Sequence, residues 1–191
     1  MKPAALLCLL LLAAGLAQAA PTTYDIDPTH TYPSFEADHM GGLSVWRGKL
    51  NHSTGRIVYD KADGTGKVDV EMDLASIDFG LDALNAWARG EQFFDVAKHP
   101  SARYTGRFEG GSGGVPARVV GELTLNGQTR PVTLAIRQLK CIPHPVFKRE
   151  LCGADASGSF NRDEFGLAAG KDWGFKMDVQ LRIQVEAIAK E

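Results

Sequence analysis

The chain carries little net charge, few aromatic residues and only three cysteines. Its 21 Lys+Arg nearly balance 23 Asp+Glu, for a formal charge of −2. That leaves no basic excess with which to grip nucleic acid, and no nucleic-acid partner is expected. No apolar run reaches the roughly 20 residues of a membrane-spanning helix. The histidines, His30, His39, His52, His99 and His144, are scattered, with no i, i+4 pair on a helix, so no metal site is expected from them. No glycine-rich phosphate loop follows a buried strand. Gly110-Gly-Ser112-Gly-Gly114 has the spacing of a nucleophile elbow but leads into Pro116 and another strand rather than a helix. Asp60 to Glu71 resembles a calcium loop, but Ala62 and Gly64 stand where oxygen ligands are required. The sequence therefore offers no catalytic set and calls for no cofactor. With 191 residues, 44% of them hydrophobic, it is instead the composition of an ordinary folded domain.

That average joins two different segments. Lys2 precedes an apolar run from Ala4 to Leu16, and Ala17-Gln18-Ala19 supplies a small-x-small site. This is the layout of a secretory signal peptide over residues 1–19, which predicts export, here to the periplasm, of a single domain over 20–191. Cleavage removes Cys8 and Lys2, leaving a domain of net charge −3 with two cysteines. Cys141 and Cys152 bracket a ten-residue segment with prolines at 143 and 145, read as a loop between strands. In an oxidising compartment a disulfide is expected across it. A metal site from Cys141, His144 and Cys152 is the alternative, but it lacks the fourth ligand of a structural zinc centre.

What the domain has in abundance is alternation. Along Lys67–Leu74, Val68, Val70, Met72 and Leu74 face one way and Lys67, Asp69, Glu71 and Asp73 the other. Met177, Val179, Leu181, Ile183 and Val185 alternate with Asp178, Gln180, Arg182, Gln184 and Glu186 in the same manner. A period of two with one charged face marks strands with one buried side. Looser alternation runs through Ala102–Phe108, Val119–Leu125 and Val132–Ile136, with Asn126-Gly127 as a hairpin signal between the last two. Only Leu81 to Gln92 shows helical spacing, through Leu81, Leu84 and Ala88. The pattern predicts an all-β, antiparallel barrel of about eight strands with one short helix, closed so that no long edge is exposed. Its outer face is charged, the reverse of an outer-membrane barrel. The inward set is almost wholly aliphatic. Such a lining suits a hydrocarbon chain, or simply packs upon itself, and periodicity leaves both open.

A set of motifs bears on that choice. Tyr24-Asp-Ile-Asp27-Pro28 leads into His30-Thr-Tyr-Pro-Ser-Phe35, and His39-Met40-Gly41 precedes Arg47-Gly48. Phe93-Phe94-Asp95-Val96 is followed by His99-Pro100. Gly121–Gly127 leads to Arg130-Pro131-Val132, and Phe160-Asn161-Arg162-Asp163-Glu164-Phe165-Gly166 comes later. In this order and spacing the chain resembles the YceI-like family of exported polyisoprenoid-binding proteins. The resemblance implies a lipocalin-like barrel around an elongated apolar tunnel for an isoprenoid lipid, such as a quinone tail or a polyprenyl phosphate, and no enzymatic activity. The Cys141–Cys152 segment departs from the plainest members.

Taken with that resemblance, the expected tunnel lining is Phe35, Val70, Met72, Leu74, Phe93, Phe94, Phe108, Leu123, Leu134, Val179 and Leu181. Phe93 and Phe94, with the helix, form a candidate flap at one end, or else only anchor the helix. His39 and Arg47 are headgroup candidates, but for Arg47 a structural salt bridge to an acid such as Asp95 is the preferred reading. Three functions follow: a carrier or sequestering protein for a long-chain lipid, a redox accessory presenting a bound quinone to a membrane partner, and a stress-response interaction protein with a filled core. Contact with a membrane or membrane protein, and a homodimer, remain open partners.

Overall fold

The computed structural model describes residues 20–191; the expected signal peptide lies outside the described residues. In chain order the elements are β1 (Thr22–Ile26), β2 (Ser34–His39), β3 (Ser44–Leu50), β4 (Ser53–Asp60), β5 (Thr65–Asp73), β6 (Ile77–Asp78), α1 (Asp82–Arg89), β7 (Ser101–Glu109), β8 (Arg118–Leu125), β9 (Gln128–Pro143), β10 (Glu150–Asn161) and β11 (Asp178–Ala189). Every pairing is antiparallel. The hydrogen-bonded order β1-β4-β5-β7-β8-β9-β10-β11 returns from β11 to β1, closing a ring of eight strands.

The other three strands extend this ring rather than add to it. β11 pairs through Ala187–Ala189 with β1 and through Val179–Arg182 with β2, so β1 and β2 are one strand interrupted by the excursion at 27–33. β3 runs beside β2, and β4 beside β1. β6 continues β5 across the 3₁₀ turn Leu74–Ser76 to meet β3. The architecture is thus the predicted eight-stranded antiparallel barrel with one helix.

Local chemistry fixes the turns. Leu125 pairs with Gln128, and between them Asn126 (φ 49°) and Gly127 (φ 72°) both take the left-handed conformation that a two-residue hairpin with right-handed strand twist demands. The alternation in β5 holds, with Val68, Val70 and Met72 turned inward and Lys67, Asp69 and Glu71 exposed. Cys141 and Cys152 face each other in register between β9 and β10 and form a disulfide, with the loop confined to 144–149. Because the two sulfurs are bonded to each other they are not thiolate ligands. His144 Nδ1 instead accepts backbone N–H groups from Val146 and Phe147.

Seen along the strands, the barrel has two unlike ends. One carries both termini of the described chain and the loops at 61–64, 110–117 and 144–149. The other carries the β2–β3 turn, α1 with the segment to residue 100, and the long connection from Arg162 to Met177.

Candidate functional site

The barrel is hollow. A cavity of about 730 Å³ runs through it, within the size range of ligand pockets. Each expected lining residue borders it: Phe35 from β2, Val70 and Met72 from β5, Leu74 from the following turn, Phe93 and Phe94 after α1, Phe108 from β7, Leu123 from β8, Leu134 from β9, and Val179 with Leu181 from β11. The space exists because the facing positions are small. Ala37, Ala102, Ala154, Ala156 and Ala187 also line it, and Gly48, Gly121 and Gly158 present bare backbone where a Cβ would collide with a neighbour. A bulge in β9, where Arg137 is the extra residue opposite Asp155 and Ala156, turns both Ile136 and Leu139 toward the interior.

One end is sealed. Tyr24, Tyr59 and Phe108 are buried there; the Tyr24 hydroxyl donates to Glu150 Oε2 at 2.5 Å and the Tyr59 hydroxyl to the Gly114 carbonyl at 2.5 Å. Lys61 Nζ completes the tie, 2.6 Å from Glu150 Oε1. Burial works to raise the Glu150 carboxyl, but the hydrogen bonds from Lys61 and Tyr24 outweigh it and hold the group below its ordinary value. Burial, reinforced by the bond to Glu150, pushes the Tyr24 hydroxyl well above the usual phenol value.

The opposite end is open. Met40 and Trp173 both line the cavity yet are 52% and 76% exposed, which puts its mouth between the β2–β3 turn and the 162–177 connection. Asp38 ties these two segments together: its Oδ2 accepts the backbone N–H groups of Gly41 and Lys176, each at 2.9 Å. Those bonds, Lys176 first, hold its carboxyl below the usual range despite some desolvation. α1 closes another side of this end. Asn85, buried, accepts the Phe79 N–H at 2.7 Å, and Ala88 is fully buried. Trp87 stacks on Phe93 with ring centroids 5.0 Å apart.

His39 lies at this mouth, stacked on Trp46 at 4.3 Å and edge-on to Phe175 at 5.0 Å. Arg47 does not reach the cavity. In β3 the inward positions are Trp46 and Gly48, so alternation throws Arg47 outward, opposite Glu36 in the register, where its Nε meets Glu36 Oε1 at 3.0 Å. Asp95, the acid suggested for it, pairs with Lys98 instead. The expected structural salt bridge of Arg47 is therefore made, with Glu36 rather than Asp95 as its acid.

Sequence reasoning also missed groups the cavity needs. Trp46, Trp87 and Trp173 all line it, as does Tyr104, whose hydroxyl donates to the Val132 carbonyl at 3.0 Å. Arg162, quoted above only as part of a motif, lines the cavity and is 6% exposed. Its signal was a lone cation between Asn161 and the buried Phe165, at the end of an inward-facing strand. Among the described residues Asp38 and Arg162 are the charged side chains on the lining, joined by His39; the rest is apolar or carries hydroxyls. Such a surface can desolvate and hold a hydrocarbon.

Known proteins agree with this architecture. UPF0312 proteins of Serratia proteamaculans and Azotobacter vinelandii are 32% and 30% identical, over 94% and 93% of this chain and 92% of each of theirs. The crystal structure of Burkholderia cenocepacia BcnA superposes with a TM-score of 0.68 at 20% identity, covering 85% of this chain and 99% of that one. A polyisoprenoid-binding domain from Saccharophagus degradans, implicated in plant cell wall breakdown, superposes with a TM-score of 0.62 at 16% identity, covering 88% and 99%. Residues 24–187 match the YceI-like domain, and the chain belongs to the YceI-like family.

Proposed function

We propose that this protein binds a long-chain isoprenoid amphiphile, such as a quinone tail or a polyprenyl phosphate, and carries or sequesters it in the periplasm. The observation that carries the reading is the apolar cavity of about 730 Å³, sealed at the Tyr24 end and open between Met40 and Trp173. A filled core has no place for such a space. The polyisoprenoid-binding neighbour from Saccharophagus supports the same ligand class. The eleven expected lining residues then contact the chain, and His39 stands near the headgroup. Each buried methylene contributes about 0.8 kcal/mol, so ten carbons supply ~8 kcal/mol before ordering costs, enough for tight binding without an ion pair. Exposed Met40, Leu43, Val45 and Trp173 around the mouth support a passing contact with a membrane during loading. Export rests on the N-terminal leader. Binding, rather than catalysis, is what the lining chemistry supports.

Native mass spectrometry of protein purified from its own host tests the reading. A stoichiometric apolar adduct, recoverable by organic extraction, is expected on a chain beginning near Ala20. Repeated absence of an adduct, together with no uptake of added polyprenyl lipid, would overturn it.

A further inference from the structure

Arg162 stands at the open end of an otherwise apolar cavity, buried and without a carboxylate partner. It begins the 3₁₀ turn Arg162–Phe165, where β10 gives way to the connection that rims the mouth. Its Nη1 donates to the Leu167 carbonyl and its Nη2 to the Ala169 carbonyl, the latter at 2.7 Å. A guanidinium has five N–H donors, so three remain after these two bonds. The nearby acids are engaged elsewhere: Asp163 pairs with Lys171, and Asp38 accepts the N–H groups of Gly41 and Lys176. Among the described residues no carboxylate lies within 4.0 Å of Arg162; Asp163 and Asp38 act on its charge only from farther off, and the Phe93 ring lies 5.9 Å from Cζ. A clamp on two carbonyls needs only neutral donors, whereas burying a full charge without a carboxylate in direct contact carries a desolvation penalty. The penalty is removed when the missing anion arrives with the ligand.

We propose that Arg162 anchors the headgroup of an anionic amphiphile, a phosphate or a carboxylate, whose chain fills the barrel. The assignment rests on the lipid reading of the cavity and adds the headgroup class to it. A tetrahedral phosphate or planar carboxylate offers paired acceptor oxygens to the free edge of the guanidinium, and such charge-assisted bonds are about twice as strong as neutral ones. Phe93, between cation and tunnel, then marks where headgroup gives way to chain.

The test compares chain-matched ligands on delipidated full-length protein, read by tryptophan fluorescence, since all three tryptophans line the cavity. Geranylgeranyl phosphate against geranylgeraniol, and palmitate against hexadecanol, are expected to show the anion bound roughly tenfold to hundredfold tighter. In Arg162→Gln that ratio is expected to fall to about threefold or less, while the alcohols bind nearly as before. Inorganic phosphate without a chain is expected not to compete at the same concentrations. Should Arg162→Gln fail to fold, the side-chain Nε–H resonance of Arg162 in the wild-type protein, identified by its absence from Arg162→Lys, is expected to move with the phosphate lipid and not with the alcohol. Equal affinity for anion and alcohol in the wild type, a ratio that survives Arg162→Gln, equal competition by inorganic phosphate, or the same resonance shift with both ligands would overturn the assignment of Arg162 alone. Failure of every long-chain ligand to bind would overturn the lipid reading itself.

Discussion

Replacing Ala156 by Phe separates a hollow barrel from a packed one by the sign of the effect. Ala156 lies on β10, paired with Ile136 and Ile183, and its side chain borders the cavity. In a packed core an added ring forces neighbours off their rotamers, at about 1–3 kcal/mol. Here the ring enters open space lined by aliphatic carbons. Full burial of a phenylalanine side chain is worth about 1.5–3 kcal/mol, and an aromatic residue also fits a strand better than alanine does. The two cases thus differ by roughly 3–5 kcal/mol, well beyond the error of a denaturation midpoint. Urea unfolding of delipidated protein is the assay, because bound lipid would stabilise the wild type by mass action. The expected outcome is a raised midpoint with unchanged slope. The same variant should show a much smaller thermal shift than wild type on adding geranylgeranyl phosphate, since the ring occupies the chain's space. A loss of more than 1 kcal/mol of stability, with lipid uptake intact, would refute the argument from cavity volume.

Three further outcomes follow from other parts of the fold. Cys141→Ser with Cys152→Ser opens a loop spanning 11 positions and is expected to lower stability by about 3 kcal/mol, read by urea unfolding with and without reductant. Gly55→Ala is expected to lose ~3 kcal/mol, because at φ 153° its Cβ would lie 2.3 Å from the Asp69 carbonyl oxygen and 2.8 Å from the Val70 Cα, both fixed by the β4–β5 ladder. The Glu150 carboxyl is held below its unfolded value, so its ties to Lys61 and Tyr24 contribute fully above that value and fade as pH falls through the folded one. Stability of wild type relative to Glu150→Gln should therefore narrow below about pH 4 and stay level from there to neutrality, by a small margin because the pair is partly exposed.

The barrel was legible because its signal is local and repeated. Val68 to Leu74 and Val179 to Val185 each state which face is buried, and a succession of such runs broken by only one short helix leaves an antiparallel ring. The Asn126-Gly127 turn and the Cys141–Cys152 clamp were legible for the same reason, since each depends on neighbours in the chain. What was not legible depends on strands meeting. The break of β1–β2 at 27–33 leaves the two halves in line only because both lie along β11. The salt bridge of Arg47 was legible but its acid was not, because Glu36 comes opposite it only through the β2–β3 register. Arg162 was overlooked because its burial is created by Phe93, Leu167 and Ala169, brought together from two connections.

Whether the interior was filled or hollow looked undecidable from the inward aliphatics, yet the deciding signal lay in β10. It reads Cys152-Gly-Ala-Asp-Ala-Ser-Gly158, and its inward positions offer almost no side-chain volume between Leu134 and Ile136 of β9 on one side and Leu181 and Ile183 of β11 on the other. A core closes when inward side chains fill the space between them. Along β10 they do not, and two glycines of the wall cannot be enlarged cheaply: at Gly158 a Cβ would stand 2.7 Å from the Thr133 carbonyl oxygen, and at Gly121 one would stand 2.3 Å from that of Thr105. Backbone proximity therefore fixes these glycines, and together with the inward alanines they leave the void. Because the tyrosine end is tied shut through Glu150 while the Met40–Trp173 end is not, a chain that enters the void has one way in and out. On the proposed reading its polar head comes to rest at the end where Arg162 and His39 stand.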